Sequence, residues 1–333
     1  MTTLFRTPIP IDPAPFRLDY ETPVLFMGSC FTGHLGQWLA DHKFPVLINP
    51  FGIVYNPASM VDQMQRLLDP VPFGVADLQQ RGGQWFSYAH HGQFGDADPE
   101  ALCGRLNAEL ETSAAFLRQS KVWAMTFGTA WVYRLKETGR VVANCHKQPD
   151  GMFARERLTV VAITTAWRRL IETALLRQPD LKLIFTVSPV RHGRDGALAN
   201  QRSKAILLLA AEALTEAYPN AVYFPAYEVL MDELRDYRFY AEDMLHPAPV
   251  AIGYIREQFL KAFLADNARA TLQDVQRIQQ AVNHRPLHPE SEAHQKFVVA
   301  TCAKITRLEA LGLDFGAERA RLTSNGHGYE KTL

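Results

Sequence analysis

The chain has 333 residues, 47% hydrophobic and 21% charged, which is enough to bury a sizeable core and excludes a disordered or fibrous class. Lys+Arg and Asp+Glu both number 35, so the formal charge is zero; that argues against a chain-wide basic face for nucleic acid, although a local patch is still allowed. The longest apolar run, Ala205 to Ala211, is far too short to span a bilayer.

The first twenty residues carry Pro8, Pro10, Pro13 and Pro15 among charges, with no continuous apolar segment of the kind a secretory signal needs. They read as an extended arm. Val24 to Met27 is an apolar run of strand length that ends in Gly28-Ser29, after which Leu35, Trp38 and Leu39 recur at helical spacing. Phe44 to Ile48 is a second apolar run, closed by Asn49-Pro50-Phe51-Gly52. Asn56-Pro57-Ala58-Ser59 then opens a helix bearing Met60, Met64, Leu67 and Leu68. Residues 69 to 100 are broken by Pro and Gly, with a short strand predicted at Gln84 to Ala89. Together with a helix from Pro99 to about Arg118 they read as an excursion, over about 69–118, from the core sheet.

Val122 to Phe127 is a third strand, and Trp131 to Leu135 with Arg140 to Asn144 forms a hairpin around Thr138-Gly139. A helix from about Val160 to Leu176 leads to a fourth, fully apolar strand, Leu181 to Val187, closed by Ser188-Pro189. Ala199 to Ala217 is a long helix and Ala221 to Phe224 a short fifth strand. Helix follows from Tyr227, and again after His246-Pro247 as far as Leu264. This alternation implies an α/β fold with a mostly parallel five-stranded sheet covered on both faces. Residues 1–265 form that domain. Residues 266–333 read as a helical C-terminal extension, helical in period over 271–283 and 289–311, with a polar end from Glu318 that frays.

The most informative feature is a pair of distant segments. Gly28-Ser29 puts a serine on a strand-to-helix turn, and Tyr240-Ala241-Glu242-Asp243-Met244-Leu245-His246-Pro247 puts an acid three residues before a histidine. Catalysis by a serine hydroxyl needs those three groups: the His takes the Ser proton, and the Asp fixes the His tautomer and steadies the imidazolium. Five segment ends fall at the C-terminal ends of the predicted strands, where ligands bind in open α/β sheets. They are Gly28-Ser29, Asn49 to Gly52, Phe127-Gly128, Ser188 to His192 and the loop bearing Asp243 and His246.

Each residue also has a plainer reading. Ser29 can cap the helix that follows it, and Asp243 can cap a helix entered at His246-Pro247. Cys30 is a rival nucleophile, but adjacent residues leaving a strand point in different directions, so only one of the pair faces the site. His146, Lys147, Arg191 and His192 suit either an anionic or polyhydroxylated substrate or loop-stabilising hydrogen bonds. His90-His91 reads as a surface or loop pair, and His284 and His288 as solvated. Trp123 and Trp131 read as core or pocket wall. No spacing supplies a metal site, and no cofactor is expected. The four cysteines, Cys30, Cys103, Cys145 and Cys302, lack C-x-x-C spacing; reduced thiols and a cytoplasmic setting follow as expectations.

At these residues the chain resembles the GSCFA family, a branch of the SGNH (GDSL-like) hydrolase superfamily. Gly28-Ser29-Cys30-Phe31 is similar to the block that gives the family its name, with Thr32 where that block has Ala. Similar blocks follow in order: Asn49 to Asn56, Thr126 to Tyr133, Asn144-Cys145-His146-Lys147, Thr186 to His192, and Tyr240 to Pro247. They cover roughly residues 20 to 260. The resemblance implies a three-layer α/β/α sandwich with Ser29 as nucleophile, His246 as base and Asp243 as orienter. It implies an oxyanion hole from the Ser29 backbone N–H, Gly52 and an Asn side chain. The Gly-x-Asn usual after the third strand is replaced here by Gly128-Thr129-Ala130-Trp131, and Asn144 is the substitute. The expected function is a serine esterase acting on O-acyl groups (O-acetyl among them) of a carbohydrate or other polar alcohol. Acyl transfer from the same site, and a non-catalytic carbohydrate-binding module, are the alternatives. A small-molecule or glycan ester is the expected partner, without nucleic acid or membrane.

Overall fold

The computed structural model describes residues 7–284 and 286–324. The Pro-rich arm has no regular structure after residue 7, but it is tied down by backbone bonds from Ala14 and Leu18 to Ala262 and Phe263. Strand β1 (Val24–Gly28) passes at once into helix α1 (Cys30–Asp41), and β2 (Val46–Ile48) is followed by α2 (Pro57–Leu68). A small antiparallel sheet of β3 (Gln79–Arg81), β4 (Gln84–Phe86) and β5 (Gly95–Asp96) precedes α3 (Pro99–Gln119) and β6 (Val122–Phe127). A second small sheet contains β7 (Trp131–Leu135), β8 (Val141–Val142) and β9 (Phe153–Arg157). Then come α4 (Val160–Arg177), β10 (Lys182–Val187), α5 (Gly196–Ala217) and β11 (Ala221–Phe224). The short α6 (Ala226–Glu228) widens into a π-helical turn over Val229–Leu234 before α7 (Pro249–Phe263), and α8 (Asp266–Asn283), α9 (Glu292–Glu309) and α10 (Gly316–Ser324) follow.

Local chemistry explains the helix starts. Asn56, Asp98 and Thr159 each accept a first-turn backbone N–H at 2.8, 2.9 and 3.1 Å, and Pro57 and Pro99 take first-turn positions where no N–H is needed. The main sheet has the order β11-β10-β6-β1-β2 with all pairs parallel, so the chain leaves β1 in one direction to β2 and in the other to β6. That reversal opens a crevice beyond the C-terminal ends of β1 and β6.

The period of two along each strand sorts the core into two layers. Leu25, Met27, Trp123, Met125, Phe127, Leu183 and Phe185 face α2 to α5, whereas Val24, Phe26, Val122, Ala124 and Ile184 face α1 and α7. Both faces of the sheet are therefore covered, as the near-continuous apolar runs require. Of the excursion expected over 69–118, only the β3-β4-β5 sheet stands apart. Leu102, Leu106, Leu110 and Leu117 of α3 join the main core.

Strand β9 was not foreseen, because Phe153-Ala154-Arg155-Glu156-Arg157 has one buried residue and no apolar alternation; it forms by pairing with β7. The end of the extension differs from the expectation of fraying from Glu318. The α10 helix runs on to Ser324, with Leu322 buried, an Arg319–Glu309 ion pair at 2.6 Å and a Glu318–Lys43 pair at 2.7 Å. Residues 325–333 of that expected tail lie outside the described residues.

Helices α8 to α10 share a separate cluster of Val275, Ile278, Ile305 and Phe315. They meet the main domain beyond the far end of α1, where Gln279 bonds the Asp41 carbonyl and Lys43 lies 5.1 Å from the Phe315 ring. That end is about 18 Å from Ser29 along a twelve-residue helix, so this docking face is not at the crevice. Among the described residues no helix is long and apolar enough to cross a membrane.

The exit from β1 is sterically closed. Gly28 has φ +145°, and a Cβ there would stand 2.4 Å from the Thr126 carbonyl oxygen and 2.8 Å from its Cβ. Gly28→Ala is expected to cost about 2–4 kcal/mol, since it combines an unfavourable dihedral with a clash against strand backbone. Urea denaturation of the variant beside wild type measures this.

Candidate active site

Ser29 occupies the N-cap position of α1 with extended backbone, φ −70° and ψ 176°. Its side chain makes no capping bond, so the plain capping role is not realised. The hydroxyl instead donates to Ser188 Oγ at 2.9 Å, and the residue is 1% exposed. The turn that presents it is held from both sides: Gly28 N–H donates to Asn49 Oδ1 at 2.8 Å, and Val54 N–H donates to the Gly28 carbonyl at 3.1 Å. The first-turn amides of α1, lacking helical acceptors, begin at this residue.

Asp243 and His246 sit on a closed loop. An antiparallel bridge links Tyr240 to Pro247, the Ala241 N–H bonds the His246 carbonyl at 2.8 Å, and Met244 takes a positive φ of 57°. Asp243 Oδ1 accepts the backbone N–H groups of Leu245 and His246 at 2.9 Å each, and Oδ2 meets His246 Nδ1 at 2.6 Å. The His246 backbone N–H, then its ring, holds the Asp243 carboxyl down to about 2. An acceptor at Nδ1 fixes the proton there and leaves Nε2 with its lone pair free. The Arg191 N–H bonds the Leu245 carbonyl at 3.1 Å, tying this loop to the one after β10.

Ser29 and His246 line one cleft of about 540 Å³, walled by Trp131 and Tyr133 of β7 and by the loops after β10 and β8. Among the described residues no hydrogen bond runs from Ser29 to the His246 ring; in this arrangement the Ser29 hydroxyl donates to Ser188.

The other expected residues divide. Asn144 lines the cleft, and its Oδ1 accepts the His146 N–H at 2.8 Å, which leaves the amide nitrogen as its donor. Gly52 does not line the cleft. Its N–H is taken by the Asn49 carbonyl at 2.7 Å, and its positive φ of 77° serves a turn so tight that a Cβ would lie 2.3 Å from His91 Cβ. As an oxyanion donor Gly52 does not fit this geometry. His146 is also absent from the cleft wall. Its Nε2 lies 2.9 and 3.0 Å from the carbonyls of Ser87 and His90 and its ring stacks on Phe86, so it fastens a loop instead of touching a ligand.

Arg191 and His192 line the cleft. The Arg191 guanidinium approaches Met231 Sδ and the Tyr240 ring, and burial pushes His192 down to about 4. Burial raises the Cys30 thiol, which suppresses the thiolate and disfavours the rival nucleophile. His90 is not a surface residue: it is 2% exposed among Phe51, Phe73 and Phe94, and burial drives it down to about 3. Two of its ring neighbours, Phe51 and Phe73, lie in other segments of the chain, which hid this. Among the described residues no three His, Cys, Asp or Glu side chains converge to hold a metal.

Sequence reasoning missed Ser188 as the partner of Ser29, and it missed Lys204. The Lys204 side chain is 0% exposed, and its Nζ donates to the carbonyls of Ser188 at 2.6 Å and Gly128 at 2.8 Å. The signal was a lysine on the apolar face of a long helix, four residues after Asn200 and three before Leu207. It also missed the cations over the aromatic wall: Arg155 lies 4.9 Å from the Trp131 ring and 5.4 Å from Tyr133, and Arg194 lies 5.4 Å from Tyr133.

Burial pushes Lys204 from its ordinary 10.5 down to about 7. Between those values the unfolded chain binds the proton and the folded one does not, so this residue makes stability rise with pH across that window. The stability of wild type relative to Lys204→Met is expected to increase from pH 7 to pH about 10, as measured by denaturant titrations at several pH values.

A GSCFA family model matches residues 23–259, and a model described as the C-terminal domain of GSCFA domain proteins matches residues 275–325. No curated protein matches the sequence. Among solved structures, the chain is similar at 13% identity and a TM-score of 0.37 to a protein from Streptococcus pneumonia provisionally assigned as a platelet activating factor, over 72% of this chain and 83% of that one. It is similar at 13% identity and a TM-score of 0.38 to a provisionally assigned GDSL-like lipase from Parabacteroides merdae ATCC 43184, over 75% of this chain and 98% of that one. With one model spanning most of its length and a second its C-terminal helices, the chain belongs to the GSCFA family.

Proposed function

We propose that the protein is a serine esterase of the SGNH type that removes O-acyl groups from a carbohydrate or other polar alcohol. One observation carries this: His246, bonded to Asp243 at 2.6 Å, lines the same cleft as Ser29. When an ester enters, Ser29 Oγ turns from Ser188 toward His246 Nε2, gives up its proton there and bonds to the acyl carbon. The carbonyl π electrons move onto oxygen. First-turn amides of α1, the Ser29 N–H and the Asn144 amide are the donors available to that oxyanion. On collapse the C–O bond to the alcohol breaks, and His246 returns the proton to the leaving oxygen. Water, deprotonated by His246, then attacks the acyl-enzyme and releases the acid and Ser29.

The polar-alcohol reading is supported by the wall. Trp131 and Tyr133 offer aromatic surface, and Lys147, Arg155, Arg191 and Arg194 stand with Asp150 and Asp195 around the cleft. Such a mixture suits hydroxyl groups better than an acyl chain of any length.

Wild type is expected to react with a fluorophosphonate probe at a single residue, and Ser29→Ala to lose that adduct; intact-mass measurement reads both, and a wild type that never reacts sinks the proposal. His246→Ala is expected to lower kcat on short-chain aryl esters by about 10³-fold or more, and Asp243→Asn by about 10²–10⁴-fold. Because the Asp243 carboxyl is held down to about 2, it stays ionised throughout the range in which the enzyme is assayed. Asp243 is therefore expected to contribute no acid limb to the profile of kcat against pH above about 4, which rate measurements across that range check.

A further inference from the structure

We infer that Asn200, Ser203 and Lys204 of α5 are positioning residues that hold the two strand-end loops on either side of Ser29. The inference rests on the reading of Ser29 as nucleophile. Helix α5 follows β10, so its N-terminal half lies beside the C-terminal ends of the strands, where the cleft opens, and its other half runs away along the sheet. The buried face changes character at that point: Asn200, Ser203 and Lys204 are polar, then Leu207, Ala210, Ala211 and Leu214 are apolar. The three polar residues are 3, 2 and 0% exposed, spaced so that they share one side of the helix.

Each reaches a site loop. Asn200 Oδ1 accepts the His192 N–H at 3.0 Å. Ser203 Oγ accepts the Ala130 N–H at 2.7 Å and lies 3.1 Å from Thr129 Oγ1. Lys204 spans both loops through the carbonyls of Gly128 and Ser188. The Ser188 hydroxyl in turn accepts the hydrogen bond that the Ser29 hydroxyl donates. The ends of β6 and β10 are thus joined through one buried nitrogen, which bonds the backbone of Ser188, the residue whose hydroxyl is the hydrogen-bond partner of Ser29.

The surroundings of that nitrogen argue against a simple ion pair. No carboxylate lies within ion-pair distance of it among the described residues; the groups facing it include the Cys30 thiol, Arg191, His192 and the Tyr227 ring at 5.7 Å. A buried lysine whose acceptors are two backbone carbonyls is costly as a packing element, and an apolar residue of the same length would take a donor from each, leaving Gly128 only the His192 ring. Misplacement of a reacting group by about 1 Å costs on the order of 10²-fold in rate, so loops joined this way govern reactivity more than they govern binding.

The test compares full-length wild type with Lys204→Met, Ser203→Ala and, as a control on the apolar half of the same helix, Leu214→Ala. Three quantities are measured: the rate of fluorophosphonate labelling at Ser29 per folded molecule, kcat and KM on an aryl ester, and amide hydrogen exchange. Lys204→Met is expected to slow labelling and kcat at least about tenfold with KM within about threefold, and to raise exchange in 128–131 and 188–192 selectively. Ser203→Ala is expected to do the same more weakly around 128–131, and it carries the test if Lys204→Met does not fold. Leu214→Ala is expected to lower stability while its folded fraction is labelled at the wild-type rate. Wild-type labelling rates in folded Lys204→Met and Ser203→Ala, or equal slowing in Leu214→Ala, overturn the inference. Absence of labelling in wild type overturns the nucleophile reading instead, and the exchange data still report whether α5 holds the loops.

Discussion

The site depends on how the chain leaves β1. At Gly28 the backbone turns out of the strand so close to Thr126 of β6 that no side chain fits, and the next residue is Ser29. Every other part of the crevice is arranged around that turn. Asn49, at the end of β2, receives the Gly28 N–H, and Val54 closes on its carbonyl. The serine is placed at the start of α1 by covalent continuity, so the exposed amides of the helix and the hydroxyl come as one unit.

The opposing half of the site is built on a different principle. Asp243 and His246 do not rely on a long strand or helix but on a short loop closed by its own backbone bonds. The same carboxylate that orients the imidazole also accepts two N–H groups from the loop. Loop shape and ring tautomer are therefore determined together, and both residues remain half-exposed at the cleft. In this arrangement the two halves stand apart in hydrogen bonding, with the Ser29 hydroxyl directed to Ser188.

Beneath both lies an unusual amount of buried polarity. Ser188, Asn200, Ser203 and Lys204 are nearly inaccessible, yet each has a partner in the loops that end β6 and β10. Such networks specify one arrangement when fully satisfied, and here the specified arrangement is that of the crevice floor. The aromatic and cationic wall of β7 and β9 closes the cleft above it, with Arg155 across from Trp131 and Tyr133.

The main sheet was legible in sequence because its strands are buried on both faces and so read as unbroken apolar runs; Val122 to Phe127 and Ala221 to Phe224 match their observed bounds. The place of Ser29 on a strand-to-helix turn and the pairing of Asp243 with His246 were legible because both follow from local spacing, a Gly-Ser turn and an acid three residues before a histidine. Strand β9 was not, since its charged sequence becomes a strand only by pairing with β7. His146 and His90 looked like site or surface residues, but neighbours from other segments decide where their rings go, and the Gly52 N–H is claimed by Asn49 within its own turn. Sequence by itself determined which segments were apolar, in what period, and which residues could do acid–base chemistry, because those follow from composition and local geometry. Only the tertiary structure decided that Ser29 is held by Ser188 and that Lys204 lies beneath it bonded to Gly128, because hydrogen-bond partners on different strands and helices are chosen by packing and not by spacing.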